Sequence, residues 1–468
     1  MIELLLLLPV ALSILMYAFK HKKFNSAVSV CYSIIYLLIT FSFITKPAQF
    51  TVYFAVDALN LLFLTLLAIL YLGVSLYSLS YIDASKLSPK DHTIYFIFLL
   101  LFVTSMTGAL LSTHLGLLWV FIEATTLTSS YLIYFNKNKS ALEAAWKYIF
   151  ICSIGIAISY VGIILISFAA GNTNSLFFSD LYANASQFIP FWLKLAFVFT
   201  LMGFGTKMGL APVHAWLPDA HSEAPSPVSA LLSGALLNTS FLAILRVFKI
   251  MELANMAKTA QILLLIMGML SILISAVFIM KAKNYKRMLA YSSIENMGII
   301  VLGIGSGGIG YFAALLQLIA HSFAKAAFFL TSGNILKRYN SKKIENISAI
   351  MKKDTMTGWL WIICFGAIIG LPPLPAFFSE FLILRSMIEH GYLAIVIVVL
   401  LLFIFIIYGM GTSILKMLYA KGNEEISDAK LGILYYLPQI AFIVILVILG
   451  TYMPEFVYEM IKNAASAI

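Results

Sequence analysis

The amino-acid sequence predicts an all-α integral membrane protein of about fourteen transmembrane helices, and three observations carry that prediction. Hydrophobic residues make up 62% of the 468 and charged residues only 11%, a balance found in polytopic membrane proteins and not in globular domains. Apolar runs of about twenty residues, the length that crosses a bilayer as a helix, recur from one end of the chain to the other. Lysine and arginine then gather in alternate loops, as they do on the cytoplasmic side of membrane proteins.

The first run, MIELLLLLPVALSILMYAF, has neither the positive n-region nor the small-residue cleavage site of a signal peptide and reads as a retained first helix, near 2–19. Further spans are expected near 26–45, 58–82, 93–112, 115–135, 144–169, 191–212, 226–248, 260–280, 288–305, 310–335, 357–388, 392–418 and 431–453. With that division nineteen basic residues fall in loops after odd-numbered helices, from Lys20, Lys22 and Lys23 to Lys421 and Lys430, whereas Lys46, Lys249, Lys258 and Lys462 are the four on the other side. A wrong helix count would scramble the contrast, so both termini are expected to face away from the cytoplasm, in a plasma membrane. The net charge of +10 follows from this topology and does not point to nucleic acid.

The longest polar stretch, about twenty residues from Leu336 to Thr355, is too short to fold alone, which excludes a catalytic head or nucleotide domain here. Cys31, Cys152 and Cys364 are far apart in apolar runs, which argues against iron–sulfur ligation. The seven histidines form no evident bis-histidine set for haem, so no cofactor and no metal are expected in this chain. The division is N-terminal helices over 1–92, sets of five helices over 93–250 and 258–420, and a last helix over 421–468. Five is odd, so if the sets are repeats the second is inverted relative to the first, a common transporter design with sites at discontinuous helices. The seventh span is interrupted at GTKMGLAP and the twelfth at GLPPLPAFFSEF, where Pro372, Pro373 and Pro375 cannot all sit in a regular helix.

Ionisable residues at membrane depth mark the candidate site, because each costs at least about 2.5–3.5 kcal/mol to insert. Lys207 sits in the seventh break and Glu380 beside the twelfth. Glu123 lies well inside the fifth span, and Lys207 is its natural partner, either as a functional pair or as a structural ion bridge. His321 and Lys325 stand four residues apart on one helix face and are suited to passing a proton; a hydrogen-bonded structural histidine is the bland alternative. Glu295, beside Ser292, Ser293 and Asn296, suggests a hydrated face. Lys147 reads equally as a snorkelling lysine or as a participant, and Lys194, Arg246 and Lys416 are close enough to helix ends to snorkel. His214, Asp219, His221 and Glu223 have a superficial metal-site spacing. The prolines of WLPDAHSEAP, and the lack of an HxxxH pattern, favour a cytoplasmic proton mouth or a loop-shaping role instead. Asp57 is ambiguous.

Five segments, WVFIEATTL, GTKMGLAPVHAWLPDAHSEAPSPVSALLSG, KRMLAYSSIENMG, HSFAKAAFFLTSGNIL and GLPPLPAFFSEF, together resemble the antiporter-like membrane subunits of respiratory complex I, Mrp-type cation/proton antiporters and group-4 membrane-bound hydrogenases. The resemblance is clearest from about Ile94 to Tyr419. It implies fourteen helices with two inverted five-helix repeats, each forming a half-channel. Glu123 and Lys207 would be the first channel's pair, Lys325 and His321 the connecting relay, and Glu380 the second channel's terminal group. Many complex I members place a lysine in the eighth helix; the matching stretch here offers Asn238, which with water would bridge instead. ALLN together with YSSIENMG is closer to the hydrogenase-4 and formate hydrogenlyase branch. The sequence ends soon after its fourteenth span, so the long lateral helix of the largest complex I antiporter-like subunit is not expected. Implied partners are other antiporter-like and small membrane subunits, and a peripheral redox arm of the nickel–iron hydrogenase type. The implied function is movement of protons, or of sodium, in a redox-driven complex; the alternative is a stand-alone or Mrp-type Na+/H+ antiporter driven by an ion gradient.

Overall fold

A computed structural model describes residues 1–45, 51–83, 87–171, 175–421 and 431–468; Lys46, Lys86 and Lys430 of the loop-charge pattern lie outside them. Among the described residues the chain is helical, with three isolated β-bridges and no longer strand. Eleven helices are long and apolar enough to cross a membrane, twelve if the bent C-terminal pair counts as one span. Three expected spans fall outside the eleven. The seventh is the helix Pro190–Met208 followed by a break and a short helix Leu217–Glu223; the twelfth is Thr355–Ile368 followed by a break and Pro375–Glu389. The last is Leu437–Thr451, after which the chain turns by 81° into Glu455–Ser466. Neither that final helix nor the short Phe178–Asn184 is visible as an apolar run, because both are too short or too polar.

Three helices, Ser226–Leu253, Tyr285–Ser306 and Ile309–Tyr339, are enclosed across their apolar windows, whereas Ile2–Phe19 and Leu393–Tyr419 leave most of theirs open. The residues follow the membrane's demand. Leu7, Ile14, Leu38, Ile404 and Phe405 point outward, while Ser292, Asn296, Gln317, Asn334 and the ionisable groups are withdrawn into the middle. Ser226–Leu253 contains one wide turn, a π-helical segment over Leu232–Leu236. Such turns are frequent at functional sites.

Small residues bring the first broken helix close to its neighbour. A Cβ on Gly155 would stand 2.6 Å from Thr206, and one on Gly203 would stand 2.5 Å from Ser159, so Lys139–Ala170 and Pro190–Met208 touch backbone to side chain. The break itself is closed by hydrogen bonds. Gly209, at φ 81°, ends the helix, the Leu210 amide donates to the Gly205 carbonyl at 2.9 Å, and Trp216 Nε1 donates to the Thr206 carbonyl at 2.7 Å. The Ala211 amide finds Ser271 Oγ at 2.9 Å. Groups that the lipid could not satisfy are thereby satisfied by protein.

Candidate functional site

Lys207 occupies the last turn of Pro190–Met208 and is fully enclosed. The C-terminal end of a helix favours a cation, and three protein contacts do the rest. Its Nζ donates to Thr126 Oγ1 at 2.7 Å and to the Tyr148 hydroxyl at 2.6 Å, and it lies 4.6 Å from the centre of the Tyr148 ring. Tyr148 passes its own proton toward Ser129 at 2.6 Å, since Ser129 already donates to the Thr125 carbonyl.

Glu123 is not in direct contact with Lys207. Its carboxylate accepts from Thr126 Oγ1 at 3.1 Å and from Ser153 Oγ at 2.6 Å. The expected pair is therefore a chain in which ammonium, threonine hydroxyl and carboxylate follow one another. Thr126 stands one helical turn after Glu123, so the helix that carries the acid also carries the bridge. Glu123 itself is half-buried at the edge of the bundle, near the exposed Val120 and Leu127.

The second group of residues is built on Ile309–Tyr339. Gln317, His321, Lys325 and Phe329 recur every four residues along one side of this helix, over about 18 Å at 1.5 Å per residue. Lys325 Nζ donates to the Leu289 carbonyl at 2.8 Å and to Ser292 Oγ. His321 is enclosed and neither ring nitrogen makes a hydrogen bond, although the Ser233 backbone is close enough to act on it. Gln317 Nε2 donates to Asn296 Oδ1 at 2.9 Å and, more weakly, to Glu380 Oε1 at 3.4 Å. Glu295 is also enclosed, and Glu380 and Lys325 are the charges that act on it. Gly370, at φ 67°, lets the chain pass so close to Glu380 that a Cβ there would stand 2.6 Å from Oε2. The twelfth break thus presents its carboxylate to the stripe through Gln317.

Asn238 lies just after the π-helical turn. Its Nδ2 donates to the Gly234 carbonyl and to Ser322 Oγ, both at 2.7 Å, and its Oδ1 is buried without a protein partner. It joins the eighth helix to the Lys325 helix, the place where a bridge was expected. Among the described residues no hydrogen bond carries it on to Lys207.

Lys147, read equally as a snorkelling lysine or as a participant, makes no contact with Lys207. It is about half exposed and paired with Glu143 at 2.6 Å and with Asp219 at 3.2 Å, on the wall of a charged basin of about 360 Å³. The neighbouring Tyr148, turned about 100° around the helix, reaches Lys207 instead. His214 and His221, read with Asp219 and Glu223 as a proton mouth or a loop-shaping segment, differ in exposure. His214 is half-buried, but His221 is fully enclosed and stacked on Phe329 at 4.7 Å. The basin is lined instead by Asp219, Ser222, Glu223, Asn284 and Arg287 among others, with Arg287 paired to Asp219 at 2.6 Å. Arg246, expected to snorkel, is buried and bonded to the ambiguous Asp57 at 2.5 Å.

Thr126, Tyr148, Ser153 and Gln317 escaped the sequence reading, as neutral groups do when cost of insertion is the guide. Helical spacing is the signal that marks two of them, Thr126 three residues after Glu123 and Gln317 four before His321. Lys286, counted among loop charges, is fully buried and donates to the Ala224 carbonyl at 3.0 Å; nothing in its local sequence separates it from its neighbours.

Known proteins share both the sequence pattern and the fold. A sequence profile described as "NADH:quinone oxidoreductase/Mrp antiporter, TM" matches residues 112–406. A hydrogenase-4 component F homolog from Methylacidiphilum infernorum (isolate V4) is 35% identical over 424 residues, covering 88% of each chain. Among solved structures, a chain of the membrane-bound sulfane sulfur reductase, an archaeal respiratory membrane complex, superposes with a TM-score of 0.89 at 23% identity, over 99% of this chain and 97% of that one. A chain of the Mrp complex from Dietzia sp. DQ12-45-1b superposes with a TM-score of 0.86 at 18% identity, over 99% and 96%.

Proposed function

This chain belongs to the NADH:quinone oxidoreductase/Mrp antiporter membrane family, and from that premise we propose that it moves protons across the membrane as one subunit of a redox-driven complex of the hydrogenase-4 type. The observation that carries the proposal is the enclosed Lys207, connected to Glu123 through a single hydroxyl.

In this reading fourteen spans contain two inverted repeats, over 93–250 and 258–420, and the breaks at Gly209 and Gly370 are counterparts. The chain sits in the plasma membrane with both termini on the non-cytoplasmic side. Other membrane subunits pack beside it, and the edge at Glu123 suits such a contact, because lipid is a poor neighbour for a carboxylate. Redox chemistry resides in a peripheral arm of the nickel–iron hydrogenase type, and this chain holds no cofactor.

The mechanism follows from the contacts. With Glu123 charged and Thr126 turned toward it, Lys207 keeps its proton. When Glu123 is neutralised or moves, the threonine hydroxyl loses its acceptor, Lys207 loses the charge that favours its protonated form, and the proton leaves. Each tenfold change in proton affinity corresponds to about 1.36 kcal/mol, which is within the reach of one charge-assisted hydrogen bond of about 1.5–3 kcal/mol. The proton travels by Asn238 and bound water to Lys325, then along His321 and Gln317 to Glu380, which exchanges it with the far side.

Lys207→Ala in the assembled complex tests this. Ion translocation is expected to fall at least tenfold while electron transfer and assembly persist; full translocation would refute the assignment. A sodium-coupled Mrp-type antiporter is the second reading, favoured by the carboxylate and two hydroxyls gathered at Glu123, Thr126 and Ser153, which suit either ion. Copurification with cation-antiporter subunits alone, together with sodium-dependent transport, would establish it in place of the first.

A further inference from the structure

Two buried polar groups find no use in the relay just described. Lys286, in the first turn of the helix Tyr285–Ser306, is fully enclosed, and its ammonium donates one hydrogen bond, to the Ala224 carbonyl. His221, on the short helix Leu217–Glu223, is equally enclosed, and neither ring nitrogen has a hydrogen-bond partner. His221 stacks on Phe329 at 4.7 Å, one turn from Lys325 on the helix Ile309–Tyr339. A buried polar atom without a protein partner calls for water, and His221 has two.

Neither group lines the charged basin, but each is next in sequence to a residue that does, His221 to Ser222 and Lys286 to Arg287. Asn284, the residue that caps the Lys286 helix, donates from Nδ2 to Ser222 Oγ at 2.9 Å, and both line the basin with Glu223. Glu223 is held by Lys342 at 2.8 Å. On its inner side His221 stacks on Phe329, one turn beyond Lys325 on the stripe that leads to Glu380. Basin, Ser222, His221, Lys325, His321, Gln317 and Glu380 therefore form one succession that nowhere includes Lys207.

We propose that Ser222, His221 and Lys286 form a water-filled inlet from the charged basin to Lys325, a second point of proton uptake that bypasses Lys207. His221 takes a proton from basin water on one ring nitrogen and releases the proton of the other to the Lys325 amine; the imidazole is neutral before and after. Lys286 holds the inlet open by anchoring its helix to the Ala224 carbonyl. The inference rests on the proton-moving function proposed above.

Single cysteines in the assembled complex test it. Ser140 lies on the exposed rim of the basin and Ser222 at its floor. With exposed Cys31 replaced, and Cys152 and Cys364 shielded by burial, Ser140→Cys and Ser222→Cys are treated with a membrane-impermeant cationic thiol reagent from the basin side. Both are expected to react, and in a Lys207→Ala background, where the bypass carries the translocation that remains, only modification at Ser222 should lower it, at least fivefold. Lys286→Met should lower it similarly, with Lys286→Arg restoring most of it. An unreactive Ser222→Cys beside a reactive Ser140→Cys, modification at Ser222 without loss of that remainder, or an undiminished remainder in Lys286→Met would overturn the inlet. Those results beside a Lys207→Ala variant that is itself strongly impaired leave the proton-moving function standing; an unimpaired Lys207→Ala variant would remove that function first.

Discussion

A threonine hydroxyl between an ammonium and a carboxylate makes a link that can be broken, which a direct ion pair buried at membrane depth makes harder. Removing one partner of a buried pair leaves an uncompensated charge and costs about 3–5 kcal/mol, whereas Thr126 can turn away from Glu123 and still accept from Lys207. Thr126→Val keeps the shape and removes the bridge. Translocation is expected to fall about tenfold with the complex still assembled, and Thr126→Ser should recover most of it; proton-pumping assays on membranes carrying each variant decide the matter. If valine pumps as well as threonine, Glu123 and Lys207 communicate by another route. Glu123 and Lys207 were legible in the sequence because a charge in an apolar run is costly unless something compensates it. Thr126, Tyr148 and Gln317 were not, because a hydroxyl or an amide in such a run can satisfy itself on its own helix. Lys286 was misread for the opposite reason, since a lysine beside an arginine at a helix start looks like loop charge until its burial is known.

The two breaks are the elements on which the charges depend, and glycine sets the geometry of each. At Gly370 the requirement is double. Its φ of 67° costs an L-residue about 1–2 kcal/mol, and a Cβ there would meet the Glu380 carboxylate at 2.6 Å. Gly391, at φ 84°, has the same backbone requirement with nothing within 4 Å. Gly370→Ala and Gly391→Ala should therefore lose similar stability, seen as similar shifts in thermal unfolding of the detergent-solubilised complex, but only Gly370→Ala should depress translocation. Equal activity in the two would mean that the position of Glu380 does not matter. Both breaks were legible because clustered prolines and glycines cannot continue a regular helix, and at membrane depth the freed backbone must then be enclosed by protein. The π-helical turn over Leu232–Leu236 was not, since no proline or residue pattern in SALLSGALLN requires it and only packing against neighbouring helices does.

At the scale of the molecule the arrangement is a row of enclosed polar helices jacketed by apolar ones, with charge distributed by side. The basin with Lys147, Asp219, Glu223 and Arg287 lies at the end where the lysine-rich loops gather. The chain's last helix, Glu455–Ser466, lies at 81° to the one before it. It turns Ile461 and Ala464 inward and Glu455, Glu459 and Lys462 outward, as a helix lying along a membrane surface would. Lys249 donates to the Ala467 carbonyl at 2.6 Å and ties that helix to the end of Ser226–Leu253. If lysine-rich loops face the cytoplasm, this surface helix is on the other side together with Asn255. With Cys31 replaced, an impermeant maleimide applied to right-side-out vesicles should label Asn255→Cys and Ser466→Cys and leave Lys281→Cys untouched; inverted vesicles should give the reverse. Labelling of Lys281→Cys and Ser466→Cys from the same side would break the alternation of loops on which the fourteen-span reading depends. Opposite labelling from that expected would keep the alternation but turn the molecule over, and proton uptake at the basin would then begin from the outside.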